Sequence, residues 1–161
     1  MEKSFYALLL AISTIFLSCN SNQQDASLEA NKEVVKKYHE VWSTGQVAEL
    51  DSILAPDHIS HFTDGKDEKS IDSVKAYVTK VRTAVPDLKD NILSVVAEGD
   101  KVVTRYKTGG IYQGKYKGVD ATGKKLELNQ SMMFRIANGK IAEDWGFGDS
   151  ADLDNQLNPK K

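Results

Sequence analysis

The sequence predicts an α+β fold in which N-terminal helices pack on one face of a curved antiparallel sheet. Apolar residues recur at helical spacing before Asp87, whereas β-branched and alternating stretches dominate after it. The second half of the chain also contains Asn138-Gly139, a dipeptide typical of two-residue hairpin turns. Helices followed by a run of strands is the order typical of α+β domains.

Composition places the chain among single-domain globular proteins. Its 161 residues are 40% hydrophobic and 27% charged, and the formal net charge is −2. Since a sequence pI of about 5.9 offers no general basic face, we expect no nucleic-acid partner. The single cysteine excludes an intramolecular disulfide and a cysteine-based metal cluster.

Residues 1–18 have the pattern of a lipoprotein signal peptide. The apolar run from Phe5 to Leu17 is shorter than the roughly 20 residues that cross a membrane, and it has the length of a secretory h-region. It ends beside Cys19, and this junction resembles the lipobox of bacterial lipoproteins, in which the cysteine is lipid-modified. The alternative is a plain signal peptide followed by an unrelated cysteine. The polar residues 19–30 predict a flexible tether.

The lipobox resemblance implies a protein of the bacterial cell envelope. Two or more acyl chains anchor a protein stably, so we expect attachment to a membrane without a spanning segment. Asn20, directly after the cysteine, favours the outer membrane.

Three helices are predicted in the first half of the domain. The apolar face of the first comprises Val34, Tyr38, Val41 and Trp42. Gly45 ends this helix, a short second one covers residues 47–54, and a third covers residues 70–84. Residues 57–63 form a short extended segment between the last two.

Four strands and a terminal helical turn are predicted after the helices. The strands cover residues 91–97, 102–112, 126–136 and 140–147. The turns at residues 98–101 and at Asn138-Gly139 join them into two hairpins. The glycine-rich residues 109–125 indicate a long connection or a bulged excursion, and residues 151–157 form the last helical turn.

The order and spacing of several short motifs resembles a known family. These motifs are Ala84-Val85-Pro86-Asp87-Leu88, Glu98 to Arg105, Gly110 to Gly123, Phe134 to Ile141, Glu143, Trp145, Asp149 and Gln156-Leu157. Together they resemble the SnoaL-like polyketide cyclases, or ester cyclases, of the nuclear-transport-factor-2-like (cystatin-like cone) superfamily. The resemblance covers residues 31–158 and implies a cone-shaped sheet with an internal pocket. It also matches His61 to a family histidine at the end of the first strand.

Three positions depart from the family pattern. Tyr112 stands where a histidine is common, and Ala121 replaces the proline of a Pro-Thr-Gly motif. The resemblance implies an acid/base carboxylate on the last strand near the tryptophan, but here Trp145 is followed by Gly146. The next carboxylate downstream is Asp149.

Asp149 and His61 are the predicted catalytic residues. Asp149 follows Trp145 and Phe147 at two-residue spacing, so it shares their face if the strand persists, and a buried aspartate can act as a general base. The alternative is an N-cap of the terminal helix. Asp144 alternates to the other face and is expected to be exposed to solvent. His61 can polarise a ligand carbonyl or shuttle a proton; the alternative is a hydrogen-bonded structural histidine.

The predicted ligand-binding residues are Trp42, Tyr106, Gln130 and Trp145. Gln130 is the polar member of an otherwise apolar strand face, so it either satisfies a neighbour or contacts ligand. His58 and His61 have a spacing that suggests a metal pair, but an extended segment places them on opposite faces. We therefore predict neither a metal nor a cofactor.

These observations predict a lipid-anchored SnoaL-like envelope protein with a small apolar pocket. Its activity would be cofactor-free acid/base chemistry, such as cyclisation, isomerisation or hydrolysis, on a small carbonyl compound. The alternative is a non-catalytic module that binds a small hydrophobic molecule or a partner. The expected partners are such a molecule, the membrane through its lipid anchor and, since cone folds often pair sheet to sheet, a second copy of the chain.

Overall fold

The computed structural model describes the backbone of residues 2–61, 67–148 and 150–157, and the side chains of residues 23–61, 67–148 and 151–157. The helices are α1 (Glu2–Thr44), α2 (Leu50–Ile53), α3 (Ile71–Ala84) and α4 (Ser150–Leu157), with a 3-10 turn at Val47–Glu49. The strands are β1 (Leu54–His61), β2 (Asp67–Glu68), β3 (Lys89–Glu98), β4 (Lys101–Ile111), β5 (Lys125–Ala137) and β6 (Lys140–Gly148).

Helix α1 buries one apolar stripe against the sheet, as its periodicity predicts. Val35, Tyr38 and Val41 are almost fully buried, and the Tyr38 ring packs edge-on against Phe134 of β5 at 5.4 Å between centroids. The helix extends back to Glu2, so the backbone of residues 19–30 is helical where the sequence predicts a flexible tether. Within the described residues, no helix combines the length and the apolar character that crossing a membrane requires.

The six strands form one mixed sheet in the order β2-β1-β6-β5-β4-β3. Strand β1 runs parallel to β6, and every other neighbouring pair is antiparallel. The α+β class and the two predicted hairpins, β3–β4 and β5–β6, are confirmed. The extended segment predicted between the second and third helices corresponds to β1, which is followed in the chain by β2 and α3.

Irregular register bends this sheet around its helices. The pairing shifts by one residue near Leu93 in β3 and near Ala142 in β6, and such bulges increase local bend and twist. The helices cover the concave inner face, where Phe134 is fully buried. The convex outer face exposes apolar side chains, with Val96 64% accessible and Val103 43%. The expected second copy of the chain stays a prediction.

Candidate functional site

A cavity of about 730 Å³ lies between the inner face of the sheet and helices α1, α3 and α4. Its walls are mainly apolar and aromatic, with a few polar groups among them. The lining side chains that matter below are Tyr38, Trp42, His61, Tyr77, Lys80, Asp90, Tyr106, Tyr116, Lys117, Gln130, Asp144 and Gly146. This size and mixture are typical of small-molecule sites in proteins.

Strand register determines which residues face the cavity. Gln130 of β5 lies between Tyr106 of β4 and Gly148 of β6. Side chains alternate along a strand, so Gly146 and Asp144 project to the same inner side as these residues. Glycine at 146 leaves space there, since a Cβ atom built on it would meet nothing within 4 Å.

Asp144 is buried, with 3% of its surface accessible, so the expectation of a solvent-exposed side chain is wrong. The same alternation sends Trp145 to the outer face, where its ring stacks on His61 at 4.8 Å between centroids. Trp145 is not among the residues that line the cavity. Trp145 therefore packs on the outer face of β6, whereas the Asp144 carboxylate lies on the inner face beside the open space at Gly146.

One oxygen of Asp144 is held by two groups from the neighbouring strand. His58 Nε2 lies 2.8 Å from Asp144 Oδ2, and the Ser60 hydroxyl donates to the same oxygen at 2.9 Å. No described residue donates a hydrogen bond to Oδ1. Because a carboxylate accepts, Nε2 of His58 carries the proton, and its buried Nδ1 has no partner among the described residues. The carboxylate is thus fixed in orientation with one oxygen open to a ligand.

Two tyrosine hydroxyls share the inner space with Asp144. The Tyr106 hydroxyl donates to Gln130 Oε1 at 2.8 Å. Burial and the charges of Asp90 and Asp144 raise the pKa of Tyr106 well above its usual value. Burial, with the charge of Asp144, also raises the pKa of Tyr38. Both phenols therefore stay protonated. Tyr106 can donate to a ligand oxygen only if its proton leaves Gln130 Oε1.

A second buried histidine–aspartate pair joins α1 to the sheet. His39 Nδ1 lies 2.8 Å from Asp90 Oδ2, and His39 Nε2 lies 3.1 Å from Thr104 Oγ1. The Thr108 hydroxyl donates to Asp90 Oδ1, so both oxygens of this carboxylate have protein partners. The Asp90 amide donates to the Ser43 hydroxyl at the end of α1. These bonds hold the helix on the sheet.

His61 is among the residues that border the cavity, but its ring stacks outward on Trp145 and both ring nitrogens are occupied. Nδ1 lies 3.0 Å from Asp67 Oδ1, and Nε2 lies 3.0 Å from Glu143 Oε2. Arg135 pairs with the other oxygen of Glu143, Oε1. Desolvation lowers the pKa of His61, but the hydrogen bonds to Glu143 and Asp67 outweigh it and raise the pKa above its usual value. Its predicted catalytic role would require one of these bonds to open.

The predicted site residues are therefore only partly brought together. Trp42, Tyr106 and Gln130 line the cavity; whether they bind a ligand stays a prediction. Asp149 and the side chain of Cys19 lie outside the described residues, so their roles also stay predictions.

Sequence reasoning missed two residues of the site, Asp144 and its partner His58. His58 turns inward to Asp144 and His61 turns outward to Trp145, as the extended segment predicts. No group of three histidine, cysteine, aspartate or glutamate side chains in the described part of the chain is arranged to hold a metal ion. The period-two spacing of His58 and Ser60 was the signal that could have identified the inner face of β1.

A bent mixed sheet, covered by helices around a largely apolar cavity with a buried carboxylate, defines a cone-type domain. Residues 32–157 match the family model of the SnoaL-like polyketide cyclases, and the chain belongs to this family. No curated protein sequence matches the chain.

Solved structures share the fold at low sequence identity. A candidate SnoaL-like polyketide cyclase from Jannaschia sp. CCS1 is 20% identical over 83% of this chain and 94% of its own, with a TM-score of 0.76. AclR, a candidate hydroxylase from Streptomyces galilaeus, is 24% identical over 83% of this chain and 85% of its own, with a TM-score of 0.75. TsrD from Streptomyces laurentii is 24% identical over 82% of this chain and 97% of its own, with a TM-score of 0.73. At these identities the likeness shows the fold alone.

Proposed function

We propose that this chain performs cofactor-free acid/base chemistry, of the cyclase or isomerase type, on a small carbonyl compound bound in the cavity. The observation that carries the proposal is the Asp144 carboxylate, which is buried on the inner face with Oδ2 held and Oδ1 open. Membership of the SnoaL-like family supports the reaction class.

The chemistry begins with removal of a proton beside the substrate carbonyl. Asp144 Oδ1 takes the proton from the α-carbon, and the electron pair moves onto the carbonyl oxygen to give an enolate. A hydrogen bond from Tyr38, or from Tyr106 once its proton leaves Gln130, stabilises that oxygen, because neutral donors in an apolar cavity act strongly on developing charge. A neutral acid or phenol facing an enolate beside an aspartate base is an established arrangement in ketone isomerisation.

The enolate then has two outcomes that need no further reagent. Its carbon can attack a second carbonyl of the same molecule, which forms a ring and places negative charge on the new alkoxide oxygen. Alternatively it can accept a proton at another carbon, which moves the double bond. In both cases Asp144 returns the proton that it removed, so atoms and charge balance.

The wild-type protein is expected to exchange the α-protons of 2-tetralone, a small bicyclic ketone, with solvent deuterium faster than buffer does. The exchange is followed by NMR. The matched control is Gly146→Phe, whose side chain would occupy the open space beside Asp144 and is expected to abolish exchange while preserving the fold. If the wild-type protein binds the ketone tightly but exchanges its α-protons no faster than buffer does, the result would favour the binding-module alternative.

One observation favours that alternative, a non-catalytic module for small molecules. Tyr112, at the position where the family commonly has a histidine, is buried, and its hydroxyl donates to the Val119 carbonyl at 2.6 Å. The side chain at position 112, which could contact a substrate, thus holds the connection between β4 and β5 instead. The name of AclR, a candidate hydroxylase, also indicates that this fold hosts more than one activity.

We further propose that Cys19 carries a lipid that holds the protein in the bacterial envelope, which the apolar run ending at this cysteine supports. Expressed in full in bacteria, Cys19→Ser is expected to leave the membrane fraction, because the acyl attachment atom is lost. Ser18→Ala, which keeps a small residue before the cysteine, should remain membrane-bound. Equal membrane retention of Cys19→Ser after a salt wash would contradict the anchor.

A further inference from the structure

We infer that the ligand of this cavity carries an anionic group, which Lys80 and Lys117 hold where the cavity opens to solvent. The inference rests on the proposed function only in taking the cavity as the ligand site. It adds a substrate class: a small apolar carbonyl compound that bears a carboxylate, sulfonate or similar anion at one end.

Exposed residues among the cavity lining mark its opening. They are Glu68, Tyr77, Lys80, Lys117, Phe147 and Gly148. Lys80 lies about one turn before the C-terminal end of α3, and Lys117 lies in the connection between β4 and β5. Two separate elements therefore contribute the cations. Each ammonium lies 5.7 Å from the centroid of the Tyr116 ring, which therefore has two cations beside it.

Neither lysine is neutralised by the described part of the chain. Among the described residues, no carboxylate pairs with Lys80 or Lys117, although most other lysines near acidic side chains do form ion pairs. Glu68 also lies at the opening but pairs with neither of them in the described part of the chain. Both ammonium groups would attract an anion bound beside the Tyr116 ring.

The backbone at Lys117 supports a functional reason for its placement. Lys117 and Gly118 have φ of +48° and +84°, so both central residues of the turn between Tyr116 and Val119 adopt left-handed conformations. Such turns favour asparagine, aspartate or glycine at their first central position, and lysine there is strained. The Tyr112 hydroxyl fixes the turn by donating to Val119 O and accepting from the Tyr116 amide at 3.1 Å.

The charge distribution of the cavity would orient an anionic ligand in one direction. The buried carboxylates Asp90 and Asp144 lie on the inner walls, whereas the unpaired cations lie at the opening. An anion is repelled from the inner end and attracted to the outer one. The uncharged carbonyl end then enters first and reaches Asp144.

The test compares two fluorescent probes that share one apolar body: 1-anilinonaphthalene-8-sulfonate, an anion, and N-phenyl-1-naphthylamine, its neutral counterpart. Only the binding that Gly146→Phe abolishes is assigned to the cavity. For the wild-type protein, the sulfonate should bind more tightly. The double variant Lys80→Gln/Lys117→Gln should lose about tenfold in affinity for the sulfonate, as expected for two partly exposed charge contacts, and little for the neutral probe.

Two control variants complete the measurement. Lys80→Arg/Lys117→Arg keeps both charges and should bind the sulfonate nearly as well as wild type. Lys37→Gln removes an exposed lysine of α1 that does not line the cavity and should change neither affinity. Unchanged sulfonate affinity in the double glutamine variant, or an equal loss for both probes, would overturn the inference. Exchange on 2-tetralone tests the base separately, because that ketone has no charge.

Discussion

Asp144→Asn is expected to lower the rate of α-proton exchange by about 100- to 10,000-fold, the usual contribution of a general base. Asparagine has nearly the same shape, and its carbonyl oxygen can still accept from His58 and Ser60. It cannot take the substrate proton. The loss should therefore fall on the turnover rate, measured by NMR, while N-phenyl-1-naphthylamine affinity and melting temperature stay close to wild type.

Asp149→Asn is the comparison that separates the two candidate bases. If Asp149 caps α4, asparagine caps nearly as well, so neither exchange nor stability should change, and Asp149→Ala should cost about 1 kcal/mol. Loss of exchange in Asp149→Asn with full exchange in Asp144→Asn would reverse our assignment. It would restore the carboxylate that the sequence alone favours.

Secondary structure was largely predictable because each element has its own periodicity. Helix α3 begins at Ile71 and ends at Ala84, within one residue of the prediction, and the Asn138-Gly139 turn lies where its conformational preference places it. The start of α3 and the hairpin turn both depend on local sequence. The Ser70 hydroxyl caps α3 by accepting from the Ser73 amide, and Gly139 adopts a left-handed φ of +72°.

The inner face of β6 was predicted wrongly for a physical reason. Alternation divides a strand into two faces but does not say which is inside, and large aromatic residues normally mark the interior. Here Trp145 stacks on His61 outside the cone, whereas the inner face of β6 borders the open cavity. The open cavity on the inner side of β6 thus reverses the pattern that identifies an ordinary core.

The buried polar pairs could not be predicted because they join distant parts of the chain. His39 and Asp90 are separated by 51 positions, and His58 and Asp144 by 86. Only the strand order, with β1 inserted beside β6, brings the second pair together. No local spacing rule contains that information.

The two histidine–aspartate pairs are alike in burial but differ in how many carboxylate oxygens the protein occupies. Asp144 receives both of its described side-chain hydrogen bonds on Oδ2. Asp90 receives one on each oxygen, from His39 and Thr108, and its pair lies between α1 and the sheet. This difference is the basis of our proposal that Asp144 is the base, whereas we expect Asp90 to stabilise the fold.

Asp90→Ala is accordingly expected to lower the free energy of unfolding by about 3–5 kcal/mol, measured by urea denaturation. Removing one member of a buried pair leaves its partners unsatisfied, and here the His39 ring and the Thr108 hydroxyl would both lose their acceptor. Glu98→Ala, at an exposed position of the same strand, should change the unfolding free energy by less than about 0.5 kcal/mol. Wild-type stability in Asp90→Ala combined with loss of exchange would instead assign the base to Asp90, because a clamp between α1 and β3 cannot be removed without loosening the helix.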